Sequence, residues 1–274
     1  MTQFADQLTT LGHPQRLAVF RLLMRRYPDH VPAGEVAAAL GIKASTMSTY
    51  LSSLTQAGLI VQDRAGTSLR YVVDLAAAQA MADHLWGDCC RGRLTVCAPT
   101  LKGVSPVTDR TFDVLFICTG NSARSIFAET ILRDLGAGRF RAHSAGTRPA
   151  SELNPFAVQV LRDRGHDVSH LRPKNTAEFT GPDAPQFDFV FTVCNQAANE
   201  ECPSWDGQPV SGHWGMPDPV KVQGTDAEKA LAFQQTYGAL KRRIEAFVAL
   251  PVARLDRIAL QSEVDRIGAM GANA

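Results

Sequence analysis

The feature that most constrains this chain is residues 114–125, which read Val-Leu-Phe-Ile-Cys-Thr-Gly-Asn-Ser-Ala-Arg-Ser. An apolar run leads directly into Cys118, and a segment of small residues separates Cys118 from Arg124. Beyond Arg124, apolar residues recur at helical spacing, at Ile126, Ala128, Ile131, Leu132 and Leu135. The pattern predicts that Cys118 stands at the carboxyl end of a buried strand and that Arg124 opens a helix.

The segment between Cys118 and Arg124 has the composition of an anion-binding loop. Its small residues let successive backbone N–H groups surround a tetrahedral oxyanion, and the helix N-terminus favours negative charge there. The same groups are expected to lower the pKa of the Cys118 thiol and make it a nucleophile. A buried structural cysteine beside a helix-opening arginine is the alternative. The expected oxyanion-binding residues are Thr119, Gly120, Asn121, Ser122, Ala123, Arg124 and Ser125.

Two further motifs follow this loop in the chain. A second apolar run, residues 187–193, ends at Cys194, and Cys202 follows in a polar stretch. The segment His-Trp-Gly-Met-Pro-Asp-Pro then places Asp218 before a proline. With the Cys-x5-Arg-Ser loop, these motifs resemble the low-molecular-weight protein tyrosine phosphatase family and, within it, the ArsC-type arsenate reductases. The resemblance covers residues 111–250 and implies an α/β domain with a small parallel sheet and helices on both faces.

The resemblance also implies a reaction and a set of catalytic residues. Cys118 attacks arsenate, Arg124 holds the anion, and Asp218 is the expected proton donor. Cys194 then attacks Cys118, arsenite leaves, and Cys202 pairs with Cys194 in a disulfide that an external reductant such as thioredoxin reduces. No tightly bound cofactor is expected. Two alternatives stay open: a catalytically silent domain that only binds oxyanion, and a phosphatase that acts on a small phosphoester.

One position departs from the reductase pattern. Some reductases of the family bind potassium near the loop through a carboxylate that follows an Asp-Ile-Ser-like segment. The corresponding stretch here, residues 167–174, ends at Lys174 instead. The sequence therefore argues against a potassium site and suggests that Lys174 itself supplies the positive charge.

The first hundred residues have the pattern of a helix-turn-helix. Residues 13–23 are amphipathic with a proline near their start, and residues 32–40 form a short helix that a glycine stops. Residues 43–54 form a third helix, on which apolar residues lie at spacings of four and three. Short hydroxyl side chains remain on its outer face, and such a face suits the major groove of DNA.

A predicted hairpin follows the third helix. Residues 59–64 and 69–73 alternate around a turn that contains Gly66, and arginines stand near the tip, where a wing meets phosphates. An ordinary helical bundle with a solvated Ser/Thr face is the alternative. The expected DNA contacts are Ser45, Thr46, Ser48, Thr49, Arg64 and Arg70.

These motifs resemble the ArsR/SmtB family of winged-helix repressors over residues 3–97. The resemblance implies a homodimer that binds operator DNA. The cysteine pair that some arsenic sensors carry before the recognition helix is absent. Cys89, Cys90 and Cys97 can instead place three soft thiolates around one thiophilic ion. We expect arsenite to bind there as the inducer and to release the DNA, so the chain reads as a repressor fused to the enzyme that makes its inducer.

Length and composition agree with two domains. The chain has 274 residues, more than one ordinary core holds. We predict a DNA-binding and arsenite-sensing domain over residues 1–97, a linker over 98–110, a reductase domain over 111–250 and a helical extension over 251–274. The net charge is only +1, so DNA binding depends on where cations are placed. Without an 18-residue apolar run or a signal peptide, the chain is expected to be cytoplasmic and free of membranes.

Overall fold

A computed structural model of the chain describes residues 2–89, 110–181, 183–200, 205 and 207–270. The chain divides into two units, Met1–Ser105 and Pro106–Ala274. Within the described residues, no helix is long and apolar enough to cross a lipid bilayer.

The described part of the N-terminal unit combines helices with a small antiparallel sheet. Its helices are α1 (Thr2–Leu11), α2 (Pro14–Arg26), α3 (Ala33–Leu40), α4 (Ala44–Gln56) and α5 (Leu75–His84), and a π-helical turn follows over Leu85–Cys89. Its strands, in the order β1-β3-β2, are β1 (Val31–Pro32), β2 (Ile60–Ala65) and β3 (Ser68–Val73). The imidazole of His13 caps α2 by accepting a hydrogen bond from the Gln15 N–H, and Gly41 ends α3 with a φ of 63°.

Side chains of α2, α4 and the sheet form the core of this unit. Met47, Leu51 and Leu54, the inward residues of the predicted third helix, are fully or almost fully buried. Arg26 is buried with them and forms ion pairs with Asp29 and Glu35. The predicted helix-turn-helix and hairpin are therefore confirmed, while α1 and β1 were absent from the sequence prediction.

The described part of the C-terminal unit is built on a parallel sheet of four strands. In the spatial order β5-β4-β6-β7, its strands are β4 (Phe112–Cys118), β5 (Phe140–Gly146), β6 (Phe189–Thr192) and β7 (Val210–His213). Its helices are α6 (Arg124–Leu135), α7 (Pro155–Asp163), α8 (Asn195–Asn199), α9 (Asp226–Val248) and α10 (Arg257–Gly268). The predicted fold class, an α/β domain with a small parallel sheet, is confirmed.

The strand register decides where the functional residues meet. From Val114 to Cys118, β4 is apolar and buried because a central parallel strand is covered on both faces. Cys118 pairs with Gly146 at the end of β5, and Thr192 pairs with His213 at the end of β7. Because all four strands run in the same direction, their carboxyl ends form one edge, and the loops that follow them share that edge.

The helix α10 packs against the edge strand β7. Gly212 permits this approach, since a Cβ atom there would lie 2.6 Å from the Cγ1 atom of Val264. The indole N–H of Trp214 donates to the carbonyl of Val264 at 3.2 Å, and Trp214 is fully buried. The helical extension predicted after residue 250 is thus part of the core of this unit.

Candidate functional site

The Cys118 thiol lies at the end of β4 and is almost fully buried. Its Sγ atom accepts a hydrogen bond from the Asn121 N–H at 3.1 Å and lies 2.9 Å from the hydroxyl oxygen of Ser125. Ser125 belongs to the first turn of α6, which begins at Arg124. The predicted order of strand, cysteine, loop, arginine and helix is what the structure contains.

The loop from Cys118 to Arg124, here called the Cys118 loop, turns its carbonyl groups outward. The carbonyls of residues 118, 119, 120 and 122 accept hydrogen bonds from backbone N–H groups within residues 147–154, at 2.8–3.1 Å. A trans peptide unit points its N–H opposite to its carbonyl, so the following N–H groups point inward. Gly146 allows this contact, because a Cβ atom there would lie 2.7 Å from the Thr119 carbonyl oxygen. The loop can therefore bind an oxyanion through its backbone.

Asn121 stabilises the Cys118 loop through hydrogen bonds from both ends of its side-chain amide. It is fully buried and has a φ of 43°, a left-handed conformation that asparagine tolerates. Its Nδ2 donates to the hydroxyls of Ser125 at 2.9 Å and Ser144 at 2.8 Å. Its Oδ1 accepts from the backbone N–H of Lys174 at 2.7 Å. Gly120, by contrast, does not use the left-handed region that its residue type allows.

A buried ion pair supports Asn121 from behind. The Lys174 ammonium donates to both carboxylate oxygens of Glu129 at 2.9 Å, and each side chain is 12% exposed. Glu129 also accepts from the Ser144 hydroxyl at 2.6 Å, which leads back to Asn121. Sequence reasoning singled out Lys174 but missed Glu129 and Ser144. A glutamate within the otherwise buried run of α6 was the available signal.

Arg124 faces the loop that follows β7. Its Nη1 donates to the carbonyl of Met216 at 3.1 Å, and its Nη2 lies 2.8 Å from Oδ2 of Asp218. Asp218 also caps the short turn Pro219–Lys221 by accepting from the Val220 N–H. The catalytic role expected of Asp218 is compatible with this cap, since Oδ2 faces Arg124 and Oδ1 accepts from the Val220 N–H.

The predicted decrease in the pKa of Cys118 is wrong for this structure. Burial raises the pKa of the Cys118 thiol, and the nearby Cys194 raises it further. Hydrogen bonds with Ser125 and the charge of Arg124 act in the opposite direction but are weaker. The physical reason is that the sulfur has lost its hydration, while the Arg124 charge is shared with Asp218.

Cys194 lies just beyond β6, the strand next to β4, and is also buried. Its Sγ atom is 3.4 Å from the hydroxyl oxygen of Thr119, inside the Cys118 loop. The N–H of Ala197 donates to the same sulfur at 3.4 Å. The structure thus brings Cys194 to the loop as predicted, whereas Cys202 lies outside the described residues.

Comparison with known proteins agrees with this geometry. Residues 113–260 match the family of low molecular weight phosphotyrosine protein phosphatases. The chain belongs to this family. Residues 11–63 match a helix-turn-helix domain. The arsenate reductase of Bacillus licheniformis is 36% identical over 135 residues, which are 49% of this chain and 93% of that protein. The arsenate reductase of Bacillus subtilis is 34% identical over the same length and the same shares.

A solved structure described as an arsenate reductase in the phosphate binding state is 26% identical to this chain. It covers 51% of this chain and 98% of its own, with a TM-score of 0.41. The names of the two Bacillus proteins confirm the resemblance to ArsC-type reductases that the motifs of the phosphatase-family unit indicated.

The residues predicted to contact DNA lie on the surface of the helix-turn-helix unit. On α4, Ser45, Ser48 and Thr49 are exposed and Thr46 is half-buried. The hydroxyls of Ser48 and Thr49 bond to carbonyls one turn earlier on the same helix. On the hairpin, the exposed Arg64 and Arg70 stand on β2 and β3. An outward hydroxyl face on α4 and a cationic hairpin are therefore both present.

Cys89 is exposed and ends the π-helical turn after α5. Cys90 and Cys97, the other members of the predicted arsenite site, lie outside the described residues, as does most of the predicted linker. The location of the sensing site therefore stays a prediction from the sequence.

Proposed function

We propose that the phosphatase-family unit reduces arsenate to arsenite and that the helix-turn-helix unit is an operator-binding repressor that arsenite releases. One observation carries the enzymatic half. Cys118 and Cys194 follow adjacent parallel strands, and the Thr119 hydroxyl links the Cys118 loop to the Cys194 sulfur at 3.4 Å. A phosphatase needs only the first thiol, whereas reduction needs a second thiol that attacks the sulfur of the first and forms a disulfide with it.

The reaction begins when arsenate binds the inward N–H groups of the Cys118 loop and the Arg124 guanidinium. The Cys118 thiolate attacks arsenic, an As–O bond breaks, and the oxygen leaves as water after protonation. Asp218, which lies against Arg124, is the proton donor in this step. The bound oxyanion attracts Arg124 toward the Cys118 loop. The inward N–H groups of this loop stabilise the Cys118 thiolate, which burial alone would disfavour.

The second and third steps move two electrons to arsenic. The Cys194 thiolate attacks the Cys118 sulfur, an S–S bond forms, and the electron pair of the S–As bond stays on arsenic. Pentavalent arsenic becomes trivalent and leaves as arsenite. The Cys202 thiolate then attacks Cys194 and frees Cys118, and thioredoxin or a similar dithiol reduces the Cys194–Cys202 disulfide. A chain that works with operator DNA and this reductant belongs in the cytoplasm.

The repressor half rests on the exposed hydroxyl face of α4 and the arginines of the hairpin. A homodimer is proposed because helix-turn-helix proteins usually read two half-sites. Arsenite binds Cys89, Cys90 and Cys97 as the inducer.

A paired assay tests the enzymatic half. Purified protein is given arsenate with thioredoxin, thioredoxin reductase and NADPH, and separately p-nitrophenyl phosphate without a reductant. We expect NADPH oxidation that depends on arsenate and stops in Cys118→Ser protein, with little release of p-nitrophenol. Release of p-nitrophenol without arsenite formation would make the unit a phosphatase, and neither activity would make it an oxyanion-binding domain.

A further inference from the structure

Arg243 of α9 connects two segments that are far apart in the chain. It is 5% exposed, although arginine is rarely buried unless its donors are used. Its Nη1 donates to the carbonyls of Trp214 at 3.1 Å and Gly215 at 3.2 Å and lies 2.8 Å from the sulfur of Met216. Its Nη2 donates to the carbonyls of Gly268 at 3.1 Å and Met270 at 2.8 Å.

The first of these segments carries half of the active site. Arg243 holds the carbonyls of residues 214 and 215, and the next carbonyl, that of Met216, accepts from Arg124 at 3.1 Å. Asp218 follows two residues later and pairs with Arg124 at 2.8 Å. Only a few bonds of backbone therefore separate the groups that Arg243 holds from the Arg124–Asp218 pair.

The second segment is the end of α10. The last carbonyls of a helix have no partner within it and carry partial negative charge. A guanidinium there both donates hydrogen bonds to these carbonyls and is attracted by their charge. The carbonyl of Val264, in the same helix, accepts from the Trp214 indole at 3.2 Å. The Trp214 end of the Trp214–Met216 segment is thus bonded directly to α10, and the Met216 end is connected to α10 through Arg243.

We propose that Arg243 is a positioning residue for the reaction at Cys118, which makes α10 a working part of the catalytic unit. Its planar guanidinium bridges α10 and residues 214–216, and so keeps Asp218 and Arg124 in register with the oxyanion. A lysine cannot do this, because its single ammonium lacks the two-sided fork. The proposal rests on the proposed reduction of arsenate.

The test compares Arg243→Lys with Arg242→Lys, a matched change at the neighbouring exposed arginine. We expect kcat for arsenate to fall roughly ten- to a hundredfold in Arg243→Lys, the cost of a small misplacement of catalytic groups. Inhibition by inorganic phosphate should change less than kcat does, because the backbone N–H groups of the Cys118 loop still bind the anion when Arg124 is displaced. Arg242→Lys should behave as wild type.

Two further measurements separate positioning from a general loss of stability. In Arg243→Ala, added guanidinium ion at non-denaturing concentration should restore part of kcat, and ammonium should not. Met216→Leu keeps the volume and removes one acceptor of Arg243, so kcat should fall about two- to fivefold in the same direction. This mild variant decides the question if Arg243→Lys does not fold.

Hydrogen exchange at the Val220 amide, which Asp218 caps, gives a readout that needs no turnover. It should accelerate in Arg243→Lys and not in Arg242→Lys. Arsenate reduction absent from wild type would refute the proposed function and leave this comparison to decide the positioning role. Unchanged kcat and unchanged Val220 exchange in Arg243→Lys would overturn the inference.

Discussion

The buried pair of Lys174 and Glu129 offers the sharpest quantitative test of how the Cys118 loop is held. The Lys174 ammonium bonds both Glu129 oxygens at 2.9 Å, and neither side chain is more than 12% exposed. Lys174→Met therefore leaves a carboxylate buried without its counter-charge, at a cost of about 3–5 kcal/mol. Glu129→Gln leaves the ammonium in the same position and should cost a similar amount.

The double variant Lys174→Met/Glu129→Gln removes both charges and keeps an oxygen for the Ser144 hydroxyl. Because replacing a whole buried pair is close to neutral, the double variant should lose no more stability than either single variant. The assay is urea unfolding followed by tryptophan fluorescence, to which the buried Trp214 contributes. Losses that simply add would refute the view that the pair acts as a unit.

Arg172→Met is the matched control for this cycle. Arg172 lies two residues before Lys174 in the chain and pairs with Glu178. Because the Arg172 side chain is 60% exposed, Arg172→Met should lower the free energy of unfolding by no more than about 1 kcal/mol. Loss of the buried pair should also affect the Cys118 loop, because Glu129 bonds to Ser144 and Ser144 bonds to Asn121. In Lys174→Met alone, the Asn121 N–H should hold the Cys118 sulfur less firmly, and iodoacetamide should react with Cys118 only at higher pH than in wild type.

Three further predictions concern the thiol relay, a buried carboxyl group and the DNA interface. Cys202→Ser should allow one turnover and then stop with Cys118 joined to Cys194, which mass spectrometry of the trapped disulfide detects; normal turnover with thioredoxin as sole reductant would exclude the relay. Burial raises the pKa of Asp265 to about 6, above its unfolded value, so its ionisation destabilises the fold as pH rises. Asp265→Asn should therefore raise Tm at pH 7 and leave it unchanged near pH 4, as scanning calorimetry can show. Arg64→Ala should weaken operator binding and reduce its salt dependence by about one counterion, and an unchanged salt slope would remove this residue from the DNA interface.

The parts of the fold that could be predicted are those specified by local pattern. The segment from β4 to α6 was predictable because an apolar run, a cysteine, small residues and helical periodicity are adjacent in the chain. The inward face of α4 was predictable for the same reason. Helix α1 is amphipathic, so the signal for it was present and was overlooked, whereas β1 has two residues, too few to show alternation.

What could not be predicted depends on contacts between distant residues. The ion pair of Arg124 with Asp218 joins residues that are far apart in the chain. The pKa of Cys118 is raised by burial and by Cys194, and both causes depend on how distant segments pack around the thiol. Glu129 and Lys174 meet because α6 packs on β5 and because the Lys174 carbonyl accepts a hydrogen bond from the Gly146 N–H at the end of β5. Periodicity also identified α10 as amphipathic without indicating that its apolar face would cover β7.

Placing a source and a sensor of arsenite on one chain does not by itself couple them. Arsenite is small and uncharged near neutral pH, so it leaves the enzyme quickly unless its path is enclosed, and tethering then adds little at steady state. Release of the operator should depend on the arsenite concentration in solution, whichever chain made it.

A pair of variants tests this argument. In the proposed mechanism, Cys118→Ser protein keeps the sensor and lacks catalysis, while Cys89→Ser/Cys90→Ser protein keeps catalysis and lacks the sensor. A dialysis membrane separates the two variants, because the second would otherwise occupy the operator that the first one leaves. The first variant should stay on its operator in arsenate, leave it in arsenite, and also leave it in arsenate once the second variant and its reductant are present across the membrane. If the first variant fails to respond there while wild type responds to arsenate, arsenite passes directly within one molecule and the diffusion argument is wrong. If Cys118→Ser protein leaves the operator in arsenate alone, the oxyanion itself is the signal, because this variant cannot make arsenite.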